Sequence, residues 1–207
     1  MKLKIPYSVR IPRFYKWLFR DAEFRIVNKG KKVFLTFDDG PHPEATSFVL
    51  SILAEQNVKA TFFVLGKNVV QYPEITRKIV QEGHLVANHG YDHLDGWKTS
   101  NKKYLEDVLK GKEASASRIF RPPYGRLSYF QYLALKRTER IVFWDVISGD
   151  FDTTISGKDV FYNVVKNVRN GSIIIMHDSA KSLTNVKSSL LQIIKELKKD
   201  GYEFDTP

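Results

Sequence analysis

The chain has 207 residues, 43% of them hydrophobic, and no low-complexity tract; this fits one folded domain and excludes global disorder. It has no cysteine, so disulfide frameworks, thiolate metal sites and cysteine nucleophiles are excluded, and a metal site would have to use Asp, Glu and the five histidines His42, His84, His89, His93 and His177. The formal charge of +10 and pI near 9.6 favour anionic surroundings, but the cations are scattered and no nucleic-acid module is recognisable, so no nucleic-acid partner is expected.

At the N-terminus, Met1-Lys2-Leu3-Lys4-Ile5-Pro6 begins charged but no apolar run follows. Neither a signal peptide nor a transmembrane helix is expected, which points to a cytoplasmic or inner-membrane-associated location. Residues 14–24 mix Phe14, Tyr15, Trp17, Leu18 and Phe19 with Lys16 and Arg20. These aromatics either pack on the domain, making residues 1–30 an extension of a domain spanning 31–207, or give a peripheral membrane contact through a basic aromatic surface. The first is the expectation.

Short β-type runs then alternate with helix-length amphipathic segments. Strands are expected at Val33–Phe37, Ala60–Leu65, His84–Ala87, Arg118–Phe120, Ile141–Ile147, Ser172–Met176 and Tyr202–Phe204. Helices are expected at Pro43–Glu55, Val69–Gln81, around Tyr104–Leu109, at Tyr129–Arg137, after a Ser156/Asp159 capping box, and through Val186–Leu197. Repeated strand–helix order implies parallel strands with crossover helices, either a closed barrel or an open doubly wound sheet. No glycine-rich phosphate loop follows any strand.

The polar clusters fall just after the expected strands: Asp38-Asp39-Gly40, Asn88-His89, Arg121-Pro122-Pro123-Tyr124-Gly125, Asp150 and His177-Asp178. In α/β barrels the carboxyl ends of the strands converge on one face, where active sites form. Adjacent Asp38 and Asp39 point to different sides of an extended backbone, so one can ligate a metal while the other faces a bound water; the same Asp-Asp-Gly-Pro also suits a plain turn. On a helical turn, His89 and His93 would share one face, and two histidines with a carboxylate make a common open catalytic metal set. His177, at the exit of an apolar strand, is a satisfied core histidine or a proton donor, and Asp150 could raise its pKa. Arg121 is a surface salt-bridge residue or the partner of a catalytic carboxylate.

Together these residues resemble the polysaccharide deacetylase family, the NodB homology domain. Thr36-Phe37-Asp38-Asp39-Gly40-Pro41, Asn88-His89-Gly90-Tyr91-Asp92-His93, Arg121-Pro122-Pro123-Tyr124-Gly125, Trp144 through Asp150-Phe151, and Ile175-Met176-His177 are similar to its five motifs, in order. The resemblance implies a distorted (β/α) barrel with outer helices and a divalent metal, usually Zn2+, on Asp39, His89 and His93. It implies Asp38 as general base held by Arg121, His177 as general acid tuned by Asp150, the Tyr124 N–H in an oxyanion hole, and Phe151 and Ile175 lining an acetyl pocket. The implied activity is removal of N-acetyl groups from N-acetylglucosamine-type glycans: peptidoglycan, chitin-like oligomers or poly-N-acetylglucosamine. Two departures stand out. Gly90 replaces the usual Ser or Thr after the first histidine, and Phe151 replaces the usual Trp. Rival expectations are a deformylase or deacetylase of a lipid-linked sugar at the inner membrane face, and a non-catalytic glycan-binding module.

Overall fold

The computed structural model describes residues 8–27 and 30–206. Eight strands are assigned: β1 (Lys32–Asp38), β2 (Thr61–Val64), β3 (Leu85–Asn88), β4 (Ile119–Phe120), β5 (Arg140–Ile141), β6 (Val146–Ile147), β7 (Ile173–His177) and β8 (Glu203–Phe204). The helices are α1 (Arg13–Leu18), α2 (Pro43–Glu55), α3 (Gly66–Gln71), α4 (Pro73–Gln81), α5 (Asn101–Ser115), α6 (Tyr129–Leu135), α7 (Gly157–Val165) and α8 (Leu183–Lys199). All ladders are parallel, in the order β5-β4-β3-β2-β1-β7-β6, with β8 added beside the start of β1.

The central strand explains the layering. Side chains alternate across a strand. In β1, Val33, Leu35 and Phe37 face the helices and join Val49, Leu50 and Leu53 of α2 and Leu190, Ile193 and Leu197 of α8 in the main core. On the alternate positions, Phe34 packs with Phe63, Ala87, Val142 and Ile173 inside the curled sheet. Thr36 and Asp38 continue that inner row, so the strand delivers a carboxylate to the inner side at its carboxyl end.

The sheet curls into a distorted barrel that strand pairing does not close. Among the described residues no ladder joins β5 to β6; residues 9–25 span the gap instead. Isolated bridges link Arg10 to Val146, Glu23 to Val142 and Arg25 to Ser172. The Phe143 N–H donates to the Glu23 carbonyl at 2.7 Å, and the Ile147 N–H to that of Val9 at 2.9 Å. The aromatics of this segment divide. Phe19 and Phe24 are buried and stack on Phe143, at centroid distances of 5.5 and 4.9 Å. Phe14 and Trp17 point outward, 60% and 68% exposed. No helix among the described residues is long and apolar enough to cross a membrane.

Two expected elements are broken. The helix expected over 69–81 is two helices, divided at Tyr72-Pro73, where proline supplies no N–H and disfavours helix in its predecessor. The strand expected over 141–147 is β5 and β6, on opposite edges of the sheet. Its middle, Val142–Asp145, pairs with the N-terminal segment and β7 through the Phe143 and Asp145 N–H groups. The Ser156/Asp159 capping box forms as expected at α7.

Removing Phe19 would open a cavity among Phe143, Tyr132 and Phe24. Phe19→Ala is expected to cost about 3–5 kcal/mol, read as a lowered urea midpoint with an unchanged m-value.

Candidate active site

Six chain segments meet at one cleft of about 560 Å³, at the carboxyl ends of the strands. Its lining includes Asp38, Asp39, His89, His93, Tyr124, Phe151, Ile175 and His177. Sequence reasoning did not foresee the further wall built by Ser8, Ile11, Pro12 and Tyr15 of the N-terminal segment. No short-range pattern could have placed it there.

Asp38 ends β1 and is buried. Its Oδ1 accepts from Arg121 Nη1 at 2.6 Å, while its Oδ2 lies 3.9 Å from His89 Nε2. Arg121 is fully buried. It also donates to Thr36 Oγ1 (2.8 Å) and to the carbonyls of Val142 and Phe143, and its guanidinium lies 3.8 Å from the centre of the Phe63 ring. Burial pulls its pKa down, against the opposing pull of Asp38.

The chain turns at Asp39 (φ 78°), the left-handed region that non-glycine residues enter at a cost. That turn takes Asp39 off the alternation of β1 and aims it at the histidines. Asp39 Oδ1 lies 3.1 Å from His93 Nε2 and 3.7 Å from His89 Nε2. One ligand atom from each of the three falls within 4.8 Å of the others. Asp39 Oδ1 is buried without a hydrogen-bond partner among the described residues, an orphan that a cation would satisfy. Burial pushes the Asp39 carboxyl up, but His93, His177 and His89 outweigh it and hold the group well below its usual range. His89 is pulled down to about 4, by burial first, so its ring is neutral at neutral pH. Its Nδ1 lies 2.8 Å from the Arg121 carbonyl, which fixes the proton there and leaves the Nε2 lone pair toward Asp39. The donor set therefore fits a divalent metal.

His89 and His93 do not lie on a helical turn, as their spacing suggested. They sit on an irregular loop after β3, with Gly90 at φ 79° and His93 at φ 62°. Asp107 of α5 braces this loop, accepting from the Tyr91 and Asp92 N–H groups at 3.0 and 2.9 Å. Burial, the largest influence, raises the Asp107 pKa against those bonds. Asp107 was missed because nothing in an amphipathic helix marks one acid as inward-facing.

His177 pairs in register with Asp38 across β1 and β7. Its Nδ1 lies 2.7 Å from Asp150 Oδ1, and its N–H donates to Asp150 Oδ2 at 2.7 Å. Burial lowers the imidazole pKa, but Asp150, with Asp39 and Asp38, raises it to about 9. Phe151 stands edge-on to the ring at 5.1 Å. The neighbouring Asp178 is buried against Gly40, where a Cβ would overlap its carboxylate, and it accepts from Thr46 at 2.6 Å. Burial raises its pKa to about 7. The remaining histidines are structural: His42 caps α2, and His84 accepts from the Ala60 N–H in the core.

Residues 25–138 match the family model described as polysaccharide deacetylase. A peptidoglycan-N-acetylglucosamine deacetylase of Bacillus cereus is 33% identical over 190 residues, covering 88% of this chain and 89% of the relative. The chain belongs to the polysaccharide deacetylase family. A chitooligosaccharide deacetylase of Azorhizobium caulinodans is 34% identical, over 74% of this chain and 77% of its own. The crystal structure of a peptidoglycan N-acetylglucosamine deacetylase superposes with a TM-score of 0.87 at 33% identity, covering 93% of this chain and 94% of that one. The deacetylase fold, a curled parallel sheet with surrounding helices, is thus shared, and the chain is a hydrolase of the carbohydrate esterase kind, from a metal-dependent family.

Arg121→Met would leave Asp38 buried and unpaired, and is expected to cost about 3–5 kcal/mol. Adding Asp38→Asn should restore part of that loss, a coupling that urea denaturation of the double-mutant cycle would measure. His177 has a folded pKa of about 9, above its ordinary 6.5. Its pairing with Asp150 therefore stabilises the fold fully below about pH 6.5, and that stabilisation is lost as pH rises through about 9. In metal-stripped protein, Asp150→Asn should lower the His177 pKa in an NMR titration and remove this pH-dependent part of the stability.

Proposed function

We propose that this deacetylase removes N-acetyl groups from N-acetylglucosamine-type glycans, releasing acetate and leaving the free amine. The observation that carries the reading is the register pairing of Asp38 with His177 beside the Asp39, His89 and His93 cluster. It sets a carboxylate and a protonated imidazole on neighbouring strands at the mouth of one cleft. Asp150, with Asp39 and Asp38, keeps the imidazole protonated at neutral pH, as an acid requires, while Arg121 holds the facing carboxylate in place.

Asp39, His89 and His93 would hold the divalent metal, in our reading Zn2+, whose donor preferences the set matches. When bound, it supplies Lewis-acid polarisation of the amide carbonyl and acidifies a water. Asp38, aimed by the Arg121 hydrogen bond, takes the proton from the attacking water. The Tyr124 N–H donates to the carbonyl oxygen as charge gathers there. His177 directs Nδ1 at Asp150, so Nε2 faces the cleft and passes its proton to the departing nitrogen. Phe151 and Ile175 flank the acetyl methyl. The catalytic unit in this reading is residues 31–207, with residues 1–30 as an extension that supplies the Ser8, Ile11 and Tyr15 side of the cleft. Peptidoglycan and chitin-type oligomers, the substrates named for the relatives, are the first glycans to try. The exposed Phe14 and Trp17, on a helix that also carries Arg13 and Lys16, favour a peripheral contact with an anionic membrane.

The test is acetate release from N-acetylglucosamine oligomers and peptidoglycan, with zinc and then with chelator. Chelator-sensitive release is expected. Asp39→Ala, His89→Ala and His93→Ala should lose bound metal and activity together. Asp38→Asn and His177→Ala should keep the metal by elemental analysis while turnover falls about 10²–10⁴-fold. Full turnover in Asp38→Asn would remove Asp38 as the base.

A further inference from the structure

A second pocket, of about 360 Å³, lies behind the N-terminal wall of the cleft. Arg10, Arg13, Lys16, Arg25 and Arg169 line it, with Asp145 as its one acid. Ile11 lines both cavities, so one stretch of backbone separates them.

The charges do not balance. Asp145 is buried, and Arg169 holds both its oxygens, at 2.9 and 2.7 Å; Ser172 donates to one of them at 2.8 Å. Lys16 reaches it only at 3.7 Å. Arg10 spends one nitrogen on the Asn167 carbonyl, yet its Nε is buried with no partner among the described residues. No acidic partner is recorded for Arg10, Arg13 or Arg25 among those residues. The flanking stretches 1–7 and 28–29 contain no Asp or Glu that could serve.

Like charges gathered in a recess repel one another, and an unpaired buried donor adds a desolvation cost. A multiply charged oxyanion would relieve both. Guanidinium forks match phosphoryl oxygens two at a time, which a chloride or a single carboxylate does not exploit across several arginines. We propose that this pocket is a phosphoryl-binding subsite, taking a phosphate carried either on the glycan or in a lipid headgroup, next to the sugar bound in the cleft. The pocket itself stands apart from the catalytic reading; its role beside the bound sugar rests on that reading.

The test is calorimetric titration of the metal-loaded protein with inorganic phosphate at constant ionic strength, with NMR of the arginine Nε–H groups in parallel. Saturable binding is expected, with shifts confined to Arg10, Arg13, Arg25 and Arg169. Arg13→Gln and Arg25→Gln should each weaken binding about tenfold, as loss of a charge-assisted hydrogen bond does. Two further ligands distinguish the source. Tighter binding of N-acetylglucosamine 1-phosphate than of phosphate assigns the glycan. Phosphate-competed binding to phosphatidylglycerol vesicles, without that gain, assigns the headgroup. Linear, unsaturating shifts, unchanged affinity in both variants, or shifts only at His89 and His93 would overturn the subsite. Turnover of neutral N-acetylglucosamine oligomers by the same preparation reports on the deacetylase reading separately, so the two can fail independently.

Discussion

A fully buried guanidinium has to find partners for its N–H groups, and Arg121 makes four hydrogen bonds to two separate segments. Its side chain joins β4 to Thr36 and Asp38 of β1 and to the carbonyls after β5. Its own carbonyl fixes the proton on His89. Position of the Asp38 carboxylate, tautomer of one histidine and closure of the sheet beside β5 are therefore one constraint. Burial of a charge is tolerated only where geometry satisfies it, so none of these can drift alone.

The site also depends on backbone that regular elements cannot supply. Asp39, His93 and Tyr124 all have positive φ, at 78°, 62° and 58°. Such conformations cost free energy and persist only where the surroundings over-determine them. Buried acids hold two of them. Asp178, bonded to Thr46, packs under Gly40 beside Asp39. Asp107 holds the loop that ends in His93. Strands set the depth of the cleft, and these turns aim the side chains across it.

This division explains what could be read in the sequence. β1 and β7 were legible because buried parallel strands are continuous apolar runs, and the polar residues ending them marked one face. The breaks were not. Pro73 inside a helical pattern was a usable signal that the apolar spacing of residues 69–81 overrode. Val142–Asp145 has the composition of a strand but pairs with residues 9–25, a non-local contact that no window of sequence contains. His89 and His93 have helical spacing without a helix, because Gly90 and a distant aspartate shape the loop. The split of the N-terminal aromatics, Phe19 inward and Trp17 outward, likewise follows from where Phe143 lies and not from periodicity.

The two departures from the family pattern take on physical meaning here. A Ser or Thr at position 90 would put its Cβ 2.7 Å from the Asp107 carboxylate, at a φ of 79° that glycine adopts freely. Asp107 itself bonds the two N–H groups that follow, so bracing reaches the loop from α5 instead of from a hydroxyl on the loop. Adding a hydroxyl-bearing side chain at position 90 would therefore displace the Asp107 carboxylate. Phe151 still meets the His177 ring edge-on at 5.1 Å, where an indole would extend further over the imidazole. The N-terminal segment runs beside β6, and its Ile11 and Tyr15 also line the cleft. In the proposed reaction, acyl-group size would be set jointly by Phe151 and by this N-terminal lining, which lies outside the five motifs.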